Sequence, residues 1–185
     1  MTAVVLPGLM AFAALTALAH DQSVALPGMF GPGTSLLFLM NIVPLIVTGV
    51  LTHSLAQRLP EGEETAARAV HRYDALLVLH AVAASAATAW AIGLSSHSPA
   101  ATEAGRNTFF LVGLALLGGA VGPQLATVAP VAWVFVTAFV GYRDIRRPWP
   151  WAVTLHPAGY LPTFLLCLLV FAAGLAALTR TRRPV

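Results

Sequence analysis

QRLPEGEETAARAVHRYD, residues 57–74, decides how the rest of the chain is read. It holds three glutamates, one aspartate and three arginines, and it lies between two runs, 35–55 and 75–94, that contain no Asp, Glu, Lys or Arg. Two apolar helices that cross a bilayer, joined by a short charged connector, account for this alternation most simply. Inside the connector, residues 61–72 are good helix formers, so a short helix lying beside the membrane is expected there. Glu64 and Arg68 stand four apart and can pair for roughly 0.2–0.5 kcal/mol on such a helix.

Composition points the same way. The 185 residues are 58% hydrophobic and only 9% charged, against roughly 25% charged in soluble domains. The pI near 9.8 comes from ten arginines with no lysine, set in short clusters between apolar runs. Such clusters fix topology and meet anionic headgroups. No segment joins a basic face to stacking aromatics, which excludes a nucleic-acid partner. Cys167 is the lone cysteine, so neither an intrachain disulfide nor a cysteine-based metal centre can form. These features describe an integral membrane protein of a bacterial plasma membrane.

The expected fold is all-α: a polytopic transmembrane helical bundle, one domain over 1–185, with spans at 2–19, 34–56, 75–94, 107–121, 124–141 and 160–178. Residues 1–19 end in small residues and resemble a secretory signal, but they lack a basic start, which favours a crossing. The Pro- and Gly-rich stretch 26–33 is a connector, readable as a hairpin against the membrane surface. Thr34 or Ser35 is the expected N-cap of the second span, and Pro44 is expected to bend it. Asn41, Thr48 and Thr52 share one broad face of that span, where they either bond to neighbouring helices or line a pathway. Residues 95–106 read as a polar loop.

The run 107–142 would make a helix about 54 Å long, well beyond a hydrocarbon core of about 30 Å. Gly118, Gly119, Gly122 and Pro123 interrupt it, which favours six spans over five. Gly118 and Gly122 also have GxxxG spacing. Arginine counting does not choose between the two topologies. Six passes put Arg58, Arg68, Arg72, Arg180, Arg182 and Arg183 on one side and the other four on the opposite side, and five passes also divide them six to four. Arg143, Arg146, Arg147, Trp149 and Trp151 cluster in YRDIRRPWPW, residues 142–151, a lipid-interface anchor with rings at headgroup depth and guanidinium groups near phosphate.

The connector between the two apolar runs resembles the coupling segment between early transmembrane helices of small ABC-2-type exporter permeases. That family has six spans with a broken or re-entrant segment before the last, and it pairs with cytoplasmic ATPase subunits. The resemblance implies that Glu61, Glu63, Glu64 and Arg68 contact an ATPase. It also implies a transport subunit working with a partner chain and requiring no cofactor.

Two other readings stand beside it. A structural or accessory subunit of a larger membrane complex fits the small-residue faces. A haem or copper electron-transfer protein would use His53 and His80, which a helical hairpin returns to similar depth. His71 lies nine positions from His80, on nearly the opposite side of a continuous helix. No nucleophile elbow, HExxH or phosphate-loop motif is present, so no catalytic residue is assigned and the chain is not expected to act as an enzyme by itself.

Overall fold

The computed structural model describes residues 2–20, 22–27, 34–57, 67–144 and 147–180. Among them are six α-helices: α1 (Thr2–Ala19), α2 (Pro44–Ala56), α3 (Ala67–Ser95), α4 (Pro99–Val121), α5 (Leu125–Val140) and α6 (Leu161–Arg180). They form an all-α bundle. Four helical stretches are long and apolar enough to cross a membrane, namely Leu39–Ala56, Tyr73–Ser95, Pro99–Val121 and Leu161–Arg180, while Val4–Ala19 and Leu125–Val140 are shorter apolar helices. Two small antiparallel hairpins complete the chain, β1 (Ser23–Pro27) with β2 (Thr34–Phe38), and β3 (Tyr142–Asp144) with β4 (Arg147–Pro148).

Three boundaries differ from the sequence expectation, each for a local reason. Thr34 and Ser35 do not cap a helix; they pair with Pro27 and Leu26 across the β1–β2 hairpin. The chain then makes a 3-10 turn at Leu39–Asn41 before α2. Pro44 is the first residue of α2, so it starts the helix rather than bending it. Its missing N–H is one that a helix start leaves unbonded in any case. The separate connector helix does not appear in the described part of that segment. Residues 67–74 are the opening turns of α3, which continues unbroken to Ser95.

The third difference matters most. The polar loop expected at 95–106 shrinks to residues 96–98. His97 takes the left-handed conformation that ends helices, with φ 54°, and the Ser98 amide reaches back to the Gly93 carbonyl at 3.0 Å. Ser98 then caps α4, its hydroxyl accepting from the Ala101 amide at 3.5 Å, and Pro99 follows at the first helical position. Ser-Pro is a helix-start signal, and here it brings Arg106 and Asn107 into the third turn of a buried helix.

α4 is the axis of the bundle, with 61% of its span buried against 22% for α6. Val112 and Leu116 join Phe12, Val47, Leu51, Val78, Val82 and Phe171 in the main apolar core. Phe110 and Leu111 pack with Val134, Val153 and Cys167 on the other flank. α4 and α6 approach each other closely. A Cβ on Gly113 would stand 2.7 Å from Phe171 Cα, and one on Gly174 would stand 2.6 Å from the Gly113 carbonyl oxygen. Only glycine permits the two backbones to meet this closely.

These contacts also set direction. Gly118 of α4 lies against Leu125 of α5, and Phe110 lies against Trp133 with ring centroids 4.9 Å apart. Numbers rise on one helix as they fall on the other, so α5 turns back along α4. Gly113 meets Phe171 and Leu116 meets Gly174, so α4 and α6 run parallel. The break at 122–124 is therefore a reversal of direction, and the six helices alternate. Gly122 contributes no close packing: its backbone is extended, with φ −172°, and a Cβ there would meet nothing within 4 Å.

Candidate functional site

Arg106 is 2% exposed. Its guanidinium points from α4 into the segment that joins the β3–β4 hairpin to α6. Nη1 donates to the Pro157 carbonyl at 2.9 Å and to Thr163 Oγ1 at 3.2 Å. Nη2 donates to the carbonyls of His156 at 2.8 Å and Val153 at 3.4 Å, and to Asn107 Oδ1 at 3.1 Å. Nε also donates to Asn107 Oδ1, at 3.3 Å. Among the described residues no carboxylate forms an ion pair with it. The buried cation is solvated by a cage of neutral oxygens, in which every guanidinium nitrogen is engaged.

Local sequence explains why these carbonyls turn inward. Val153–Leu155 form a single 3-10 turn. His156 precedes proline and is held extended, at φ −73° and ψ 149°, the region that a following proline favours. Arg106 donates to the Val153 and His156 carbonyls and Asn107 to that of Thr154, while the Pro157 carbonyl accepts both from Arg106 and from the Tyr160 amide at 3.1 Å. Val153, Thr154 and Leu155 are themselves buried.

Asn107 extends the network to a third element. Its Oδ1 accepts from Arg106, and its amide nitrogen donates to Asn41 Oδ1 at 3.0 Å and to the Thr154 carbonyl at 2.9 Å. One residue pair on α4 thus ties together the turn before α2, the 153–157 segment and the start of α6. Thr163 relays one bond further, donating to the Tyr160 carbonyl at 2.8 Å while it accepts from Arg106. The Thr154 hydroxyl is buried with no hydrogen-bond partner among the described residues. Glu103, one turn before Arg106, interacts with it electrostatically and is hydrogen-bonded by the Ala158 backbone. Tyr142 borders the same region; burial, and then the nearby Glu103 charge, push its phenol above the ordinary tyrosine range.

The residues singled out from sequence are placed as follows. Asn41 is buried and belongs to the network. Thr48 is buried, but its hydroxyl donates back to the Pro44 carbonyl at 2.9 Å, and Thr52 does the same to Gly49 at 2.9 Å. His53 and His80 are both exposed. His53 Nε2 bonds Gln57 Nε2 at 2.9 Å, and His80 Nδ1 bonds the Leu76 carbonyl at 2.7 Å, each within its own helical segment. No group of three potential metal ligands occurs among the described residues. Glu61, Glu63, Glu64 and Arg146 lie outside the described residues; Arg68 lies in the first turn of α3. Arg143 and Arg147 are exposed on the second hairpin, and the Arg143 guanidinium carbon lies 5.3 Å from the centroid of the Trp149 ring.

The arrangement is a positioning device. With its donors occupied, Arg106 clamps a loop and has no free edge for a substrate anion. The chain matches no protein-family model, no curated protein and no solved structure.

Proposed function

We propose that the chain is a membrane transport subunit of a bacterial plasma membrane, the permease part of an ATP-driven exporter that works with a partner chain. The observation that supports this reading is the division of the bundle into two unlike ends. At one end, Arg106 and Asn107 lock three elements together. α2 starts at that end, just after Asn41, and runs away from it to Ala56. The charged connector 57–74 therefore leaves from the opposite end, between α2 and α3. A bundle fixed at one end and bearing a charged segment at the other suits a permease that a partner moves through that segment. In this reading Glu61, Glu63, Glu64 and Arg68 are the coupling contacts.

The test is purification from native membranes in mild detergent, with mass spectrometry of co-purifying chains and an absorption spectrum of the same sample. The reading requires an ATPase at fixed stoichiometry and its loss on Glu63→Ala/Glu64→Ala, with membrane insertion unchanged. The fully occupied cage equally suits a static scaffold, which favours an accessory subunit as the second reading. That reading requires other membrane-complex chains in place of the ATPase, and dispersal of the complex on deletion. A Soret band lost on His80→Ala would replace both with a haem protein.

A further inference from the structure

The β3–β4 hairpin combines features that no helix of the bundle uses. It connects the end of α5 to the segment before α6, so it sits where two apolar helices reach the end of the bundle. Arg143 and Arg147 are exposed, with Asp144 the strand-register partner of Arg147. Trp149 and Trp151 are 38% and 39% exposed, large rings left uncovered by the rest of the chain.

The rings are nevertheless held. The Trp149 amide donates to the Gly141 carbonyl at 2.8 Å. Trp151 stands edge-on to Trp133, with centroids 6.2 Å apart and planes at 90°. Arg143 lies over the Trp149 ring, a cation–π contact that orients the guanidinium. Behind them, Ala152, Val153 and Leu155 are buried, and Arg106 clamps the same segment from inside. The hairpin is thus a fixed platform of outward rings and guanidinium groups.

We propose that this platform binds the headgroup of an anionic phospholipid, with Arg143 and Arg147 on the phosphate and the Trp149 and Trp151 rings in the glycerol–acyl boundary. Cations splayed around exposed apolar rings match a ligand that is itself charged at one end and apolar at the other. A free phosphate would use only the cationic half. Exposed Tyr160 and Leu161 continue the apolar side towards α6.

The experiment titrates the purified full-length protein in neutral detergent with fluorescent phosphatidylglycerol and, separately, phosphatidylcholine. Wild type is expected to prefer phosphatidylglycerol, and Arg143→Gln/Arg147→Gln to weaken that binding on the order of 30-fold, from about 1 kcal/mol per basic residue. Phosphatidylcholine binding should not change. Trp149→Ala keeps both charges and is expected to weaken phosphatidylglycerol binding part of the way. Arg180→Gln/Arg182→Gln, at the other end of the chain, should leave it intact. Unaltered binding by the hairpin variant, equal affinity for the two lipids, or equal loss in the Arg180/Arg182 variant would each overturn the proposal. Full competition by millimolar inorganic phosphate would also overturn it, making the site one for a soluble anion. Should the Gln variant melt early, Arg143→Lys/Arg147→Lys keeps the charges and must retain phosphatidylglycerol preference; its loss counts against the proposal.

Discussion

Arg106 has two features that usually destabilise a protein, burial and a formal charge, and it is tolerated because every guanidinium nitrogen meets an acceptor oxygen. Arg106→Ala would leave the Pro157 and His156 carbonyls and Asn107 Oδ1 without that donor. We expect it to lower stability in detergent by about 3 kcal/mol, summing several lost bonds at roughly 0.6–1.5 kcal/mol each. Arg106→Lys keeps the charge but cannot span the cage with a compact ammonium, so it should recover only part of the loss. Thermal unfolding of the three proteins checks the order. Asn107→Ala should cost more than Asn41→Ala, because Asn107 also serves Arg106 and Thr154, and a double-mutant cycle on the two asparagines should give a coupling of about 0.6–1.7 kcal/mol. Tyr142 supplies a pH dependence. Its phenol is raised in the folded state, so its stabilisation is full below the ordinary tyrosine value of about 10 and is lost as pH climbs through the folded value. The fall in stability above about pH 10 should be shallower in Tyr142→Phe, measured by denaturation across that range.

Among the elements, α4 organises the others, and its two faces show how far a sequence can be read. The apolar runs and the Gly-Pro break at 122–124 were legible, because hydropathy and helix breakers act locally. Asn41 was legible as a polar residue on a helical face, though its partner was not. The start of α4 was misread because polar residues 95–106 look like a loop when judged by polarity alone, whereas Ser98-Pro99 is a cap and first-turn signal. That misreading removed Arg106 from consideration, and no sequence pattern ties it to carbonyls about fifty residues later. A hairpin around 26–33 was legible, but its second strand was not: Leu36, Leu37 and Phe38 are apolar and run on towards α2, and only the hairpin partner reveals 34–38 as a strand. Glycine spacing was misleading as well. GxxxG at Gly118 and Gly122 draws the eye, yet the helix crossing uses Gly113 and Gly174. Gly113→Ala is expected to destabilise the protein by about 1–3 kcal/mol through overpacking against Phe171, while Gly122→Ala should be near neutral. Chemical denaturation in detergent measures both, and an equal effect of the two would contradict the assigned crossing.

At the scale of the whole molecule, the alternation of six helices places the Arg106 cage, the 96–98 turn and the β3–β4 hairpin at one end, and the charged connector with the last turn of α6 at the other. In the sequence, six of the ten arginines, Arg58, Arg68, Arg72, Arg180, Arg182 and Arg183, fall within the connector or at and after the last turn of α6. Arg106 no longer counts as a loop charge, so three remain for the opposite end, and the positive-inside rule favours a cytoplasmic connector. There it would be available to an ATPase, and the hairpin would face the outer leaflet. The most direct test is cysteine accessibility in intact cells. In a Cys167→Ala background, single cysteines are introduced by Ser96→Cys, Gly159→Cys and Glu63→Cys and labelled with a membrane-impermeant maleimide. Ser96→Cys and Gly159→Cys are expected to label from outside, and Glu63→Cys only after the membrane is opened. A five-span chain would separate positions 96 and 159 across the membrane, so labelling of only one of them from outside would contradict it.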